Sequence, residues 1–158
     1  MKIKLLLSTF LISLAIFGEK PNIEDKKIDS WKLELLKKAK IAAKESYSPY
    51  SKYKVGAALL SKNKQVFSGT NIENASYGLT VCAERSSIFS AISQGEKDFK
   101  AIAIVTKDGG SPCACCRQVL NEFNPEITVL ISDENFTKIK EYILKDLLPD
   151  AFGPKNLQ

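Results

Sequence analysis

The chain has 158 residues, 44% apolar and 26% charged, the make-up of one soluble globular domain with a single core. Its formal charge of +5 arises from 21 lysines and two arginines against 18 acids. They are scattered without a basic block, which favours a solvated lysine-rich surface over a nucleic-acid patch. There is no histidine, so imidazole is excluded from every ligand, base and triad role, and cysteine and carboxylate are left to carry the chemistry.

Lys2 and Lys4 precede an apolar run from Leu5 to Phe17 that is too short to span a bilayer easily and looks like a secretory or organellar signal, with Ser13-Leu14-Ala15 as a small-x-small cleavage pattern. Residues 1–18 are therefore read as a signal-like hydrophobic segment, the polar stretch 19–29 with Pro21 as a linker, and 30–158 as the folded domain. Ser30 is expected to cap a helix whose positions Trp31, Leu35, Ala39 and Ala42 or Ala43 recur at helical spacing. Strands are expected over Tyr53–Leu60 and Gln65–Asn71, joined by a turn at Ser61–Lys64. A polar loop from Asn71 to Ala75 leads to a helix over Val81–Ser93, with Cys82 at its start.

Phe99 to Thr106 is a continuous apolar run, as a buried central strand requires. Asp108-Gly109-Gly110-Ser111-Pro112 turns the chain into a helix over Cys113–Phe123. A fourth strand over Ile127–Ser132 and an amphipathic helix over Phe136–Leu148, stopped by Pro149, complete the order. Strands separated by helices after an initial hairpin predict an α/β domain of three layers, α/β/α, around a mixed sheet that is parallel in its later half. In that arrangement two helix N-termini can converge, and both dipoles favour thiolate there.

Cys82, Cys113 and Cys116 are the candidate metal ligands. Three protein ligands leave the fourth position of zinc open for water, and a carboxylate that binds no metal can then move its proton. Glu84, two residues past the first ligand, is that candidate. A closed structural zinc site needs a fourth ligand, for which Cys115 is the only spare, and a redox pair needs no third cysteine. Two disulfides are disfavoured because three of the four cysteines fall within four residues, where closed loops would be tiny. Arg85 and Arg117, the only arginines, each adjoin a cysteine motif and are read as groups supporting the thiolates.

Cys82-Ala83-Glu84-Arg85 with Pro112-Cys113-x-x-Cys116-Arg117-Gln118 resembles the zinc signature of the cytidine deaminase family in its three-cysteine form. Ser48-Pro49-Tyr50-Ser51-Lys52, Val55-Gly56-Ala57-Ala58-Leu59, Asn71-Ile72-Glu73-Asn74-Ala75 and Leu148-Pro149-x-Ala151-Phe152 match as well. The resemblance implies the family's fold, one Zn²⁺ per subunit, and hydrolytic deamination of cytidine and deoxycytidine in pyrimidine salvage. Glu84 would carry protons to N3 and to the departing amino group. It implies substrate contacts at Asn71 and Glu73 (ribose 3′-hydroxyl), Tyr53 (base stacking, where the family more often has phenylalanine), Ala83 and Phe152. Phe152 resembles the aromatic that reaches a neighbour's site in the family's homotetramers. A cytosine-nucleoside antibiotic is the close alternative substrate; a polynucleotide would want a basic groove with exposed aromatics. The expected partner is a small nucleoside, with no nucleic acid and no membrane for the catalytic part. Cytoplasm is the favoured location, because a three-thiolate site suits a reducing compartment.

Overall fold

The computed structural model describes residues 28–157. The signal-like segment 1–18 and the linker up to residue 27 lie outside them. Among the described residues four helices, α1 (Ser30–Lys44), α2 (Ala83–Ser93), α3 (Ala114–Phe123) and the short α4 (Leu144–Leu147), surround five strands. The strands are β1 (Val55–Ser61), β2 (Val66–Thr70), β3 (Phe99–Thr106), β4 (Thr128–Asp133) and β5 (Ile139–Ile143). They form one sheet in the order β2-β1-β3-β4-β5. Only the β3–β4 pair is parallel; β1 runs antiparallel to β2 and β3, and β5 antiparallel to β4.

Both faces of β3 are covered, which is why its sequence shows no alternation. Ala101, Ala103 and Val105 pack with Leu35, Leu36 and Ala39 of α1 on one side. Ile102 and Ile104 pack with Ile88, Ala91 and Leu120 of α2 and α3 on the other. Each of the larger side chains so buried contributes roughly 1.5–3 kcal/mol. The result is the expected three-layer α/β/α domain. Gly69 in β2 lets α2 sit directly on the sheet, since an added Cβ would overlap Ser87 N and Ala83 O.

Two expectations are corrected. The stretch 136–148 is not one helix: Ile139–Ile143 forms an edge strand, followed by the single turn of α4. Ile139, Tyr142 and Ile143 satisfy helical spacing, yet they are β-branched or aromatic and find an open edge on β4, from Thr128↔Ile143 to Ser132↔Ile139. The cap of α1 is Asp29 rather than Ser30, and it makes no side-chain cap bond, its carboxylate pairing with Lys32 at 3.1 Å instead. Among the described residues no helix is long and apolar enough to cross a membrane.

Candidate active site

The segment after β2 is stitched into place on two sides. Ile72 exchanges backbone hydrogen bonds with Val81 at 2.9 and 3.0 Å, while Tyr47 N–H donates to Asn71 O and Glu73 N–H to Tyr47 O at 3.1 and 2.8 Å. Asn71 and Glu73 are thereby held beside the residue that precedes Cys82. Cys82 is the N-cap of α2 and Cys113 the N-cap of α3, both in extended backbone, and neither helix start has a side-chain capping bond. The N–H groups of the first turn and the dipole of each start favour negative sulfur.

The sulfurs of Cys82, Cys113 and Cys116 lie within 4.8 Å of one another, Cys113 and Cys116 at 3.5 Å. Tetrahedral zinc with Zn–S near 2.3 Å requires sulfurs ~3.8 Å apart, so this donor set fits the ion with little movement. Thiolates are also the soft ligands zinc prefers. Among the described residues no further cysteine or carboxylate joins the cluster; Cys115 is exposed and outside it. Hydrogen bonding from Cys116, with Arg85 assisting against burial, draws Cys82 down to about 5, while the same bond and burial push Cys116 up.

Glu84 stands in the first turn of α2 and is only 4% exposed. Burial, reinforced by negative charge on Cys82, pushes its carboxyl above the ordinary glutamate value. Ala83, beside it, is fully buried. Arg85 donates through Nη2 to Thr80 O at 2.9 Å and reaches Cys82 Sγ at 3.8 Å. Arg117 is bonded to oxygen acceptors instead. It donates to Pro112 O at 2.8 Å, Leu147 O at 2.7 Å and Ser111 Oγ at 3.0 Å, and makes no bond to sulfur.

On the outer side, Glu73 accepts from Tyr50 N–H at 2.9 Å, Ser51 N–H at 3.2 Å and the Ser51 hydroxyl. The Ser51 bond, followed by these backbone bonds and the charge of Lys52, outweighs burial and holds the carboxyl below its usual range. Asn71 Oδ1 accepts from Val55 N–H and Nδ2 donates to Tyr53 O, both at 2.9 Å, leaving one amide N–H for a ligand. A cleft of about 360 Å³ beside Tyr53, lined by Lys40, Lys44, Lys52, Lys54 and Lys107, does not include the cysteines. Phe152 is 59% exposed, with its carbonyl gripped by Gln118 Nε2 at 2.8 Å and Asn121 Nδ2 at 3.2 Å. Sequence reasoning gave no role to Ser51, Asp108, Gln118 or Asn121. The bonds Ser51–Glu73, Tyr53–Asp108, Gln118–Phe152 and Asn121–Phe152 span 22 to 55 positions, so the motifs that contain Ser51 and Gln118 do not reveal what those side chains hold.

The family model for the cytidine and deoxycytidylate deaminase zinc-binding region matches residues 29–132. The chain belongs to this deaminase family. It is 46% identical over 125 residues to the cytidine deaminase of Halalkalibacterium halodurans, covering 78% of this chain and 95% of that protein. For the cytidine deaminase of Sporosarcina psychrophila the identity is 42% over 127 residues, with 78% and 93% covered. The crystal structure of cytidine deaminase from Burkholderia pseudomallei matches with a TM-score of 0.73 at 43% identity, covering 76% of this chain and 98% of that one. That of Mycobacterium tuberculosis gives 0.68 at 41%, covering 80% and 99%. The deaminase family match ends at Ser132 in β4, so β5, α4 and the tail bearing Phe152 lie beyond it.

Proposed function

We propose that this chain is a zinc-dependent cytidine deaminase, which hydrolyses cytidine and deoxycytidine to uridine and deoxyuridine with release of ammonia, in pyrimidine salvage. The observation that carries the reading is a buried carboxyl, Glu84, two residues beyond the first of three clustered thiols. The relatives at 42–46% identity named cytidine deaminase support the substrate. Cys82, Cys113 and Cys116 would hold one Zn²⁺ per subunit. When bound, zinc supplies a Lewis acid that brings the pKa of water from about 15.7 towards 7.

Glu84 takes a proton from the attacking water and delivers it to N3 of the cytosine. It then passes the second water proton to the amino group, which leaves C4 as ammonia while the water oxygen remains as the uridine carbonyl. A carboxyl whose burial favours the protonated form suits this shuttle. Arg85 offsets the net negative charge of three thiolates on a divalent ion. Asn71 and Glu73 hold the ribose 3′-hydroxyl, Tyr53 stacks on the base, and Ala83 contacts the substrate. Phe152 completes a neighbour's site in a homotetramer, and its exposure in the single chain is consistent with such burial between subunits. Four free thiols support a reducing cytoplasm for the catalytic part, residues 30–158.

The test is loss of cytidine absorbance with stoichiometric ammonia on adding zinc-loaded protein. Inertness with one zinc per chain would overturn the reading. Glu84→Gln should keep its zinc and lose about 10³-fold in kcat.

A further inference from the structure

Tyr53 lies just ahead of β1, and its atoms are bonded to two different loops. Its N–H donates to Ser51 Oγ and its carbonyl accepts from Asn71 Nδ2, both at 2.9 Å. Ser51 Oγ donates onward to Glu73. At the other end, the Tyr53 hydroxyl donates to Asp108 Oδ1 at 2.5 Å, which also accepts from Thr106 Oγ1 at 3.1 Å. Thr106 Oγ1 accepts the Gly110 N–H at 2.7 Å. A hydrogen-bonded path thus runs from Glu73 through Tyr53 to the turn that delivers Cys113.

The turn is shaped around that hydroxyl. A Cβ at Gly110 would stand 2.8 Å from Tyr53 Oη, and Gly109 has φ +75°. The Tyr53 bond holds Asp108 below the ordinary aspartate value, while burial and Asp108 together push the phenol up, so acceptor and donor keep their protonation states at neutral pH. An aromatic ring alone can stack on a base. Only the hydroxyl ties that ring to the cysteine-bearing turn.

We infer that Tyr53 is a positioning residue whose hydroxyl, latched to Asp108, holds the nucleoside side and the metal side of the site in one register. This rests on the nucleoside reading above. Tyr53→Phe keeps the ring and removes the latch; it should lower kcat/KM for cytidine about tenfold, chiefly through KM, because the ring is orientated before the chemical step. Asp108→Ala should do the same, and the double variant should be no worse than either single one. Asp108→Asn, which retains an oxygen acceptor, should recover most of the loss. Gly110→Ala should impair the wild type and be tolerated beside Tyr53→Phe.

Zinc release to a chelator, measured on the loaded protein without substrate, gives a readout independent of turnover: both single variants should release zinc several-fold faster, again without compounding. Multiplicative losses in the double variant, or a Tyr53→Phe protein equal to the wild type in KM and zinc release, would overturn the latch. Faster release in a protein that never turned over cytidine would keep the latch and overturn the nucleoside reading instead.

Discussion

The starts of α2 and α3 are built alike and end in different bonds. Each helix begins on a cysteine cap, and each carries an arginine that reaches back five residues to a carbonyl, Thr80 O for Arg85 and Pro112 O for Arg117. From there they part. Arg85 continues to the Cys82 sulfur, with its Nε buried and unpartnered among the described residues, whereas Arg117 continues to Leu147 and ties α3 to the chain after β5. The same signal in sequence, a rare arginine beside a cysteine, therefore supports charge at one helix start and architecture at the other. Positive compensation of the thiolates is one-sided.

The largest effects should come from what the two starts share. Cys82→Ala and Cys113→Ala are each expected to abolish stoichiometric zinc binding and essentially all turnover, measured as metal per chain after dialysis; full occupancy in either would break the symmetry. Next come the arginines, where the starts differ. Arg85→Ala should cost about 10–100-fold in activity or zinc affinity. Arg117→Ala should leave kcat within a few-fold and lower stability by ~1–3 kcal/mol in urea melts, as acceptors including Leu147 O lose a charged donor. The reverse pattern would mean that the roles are exchanged.

A smaller effect is expected at Glu73. Its carboxyl lies below the usual range in the folded protein, so its stabilisation is fully present above the unfolded value and is lost as pH falls through the folded one. Glu73→Gln should therefore lower the urea midpoint at neutral pH, and the gap from wild type should close in acid. A gap independent of pH would show that the clamp does not depend on charge. Smallest of all, Cys115→Ser should keep zinc content and stability within ~0.5 kcal/mol, since the side chain is exposed and outside the cluster.

Much of this was legible in the chain. The apolar run of β3, the helical spacing of α1 and the cysteine spacing are strong local patterns, and the starts of α1, α2 and α3 fell within a residue or two of expectation. β5 was not legible, because Ile139, Tyr142 and Ile143 fit the helical period, Ile139 and Ile143 also fit the strand period, and only the vacant edge of β4 decides between them. The bond from Arg117 to Leu147 and the latch from Tyr53 to Asp108 join positions 30 and 55 apart. Such pairings are products of the fold, and nothing in the intervening residues encodes them alone.

The cysteine caps have a consequence in polymer terms. Zinc shared between Cys82 and the α3 pair would act as a cross-link that closes the loop from residue 82 to residue 113, and all of the central strand β3 lies inside that loop. A covalent tie over a loop of this size removes ~3–4 kcal/mol of unfolded-chain entropy. The ion that serves the chemistry would then also be a staple through the middle of the sheet.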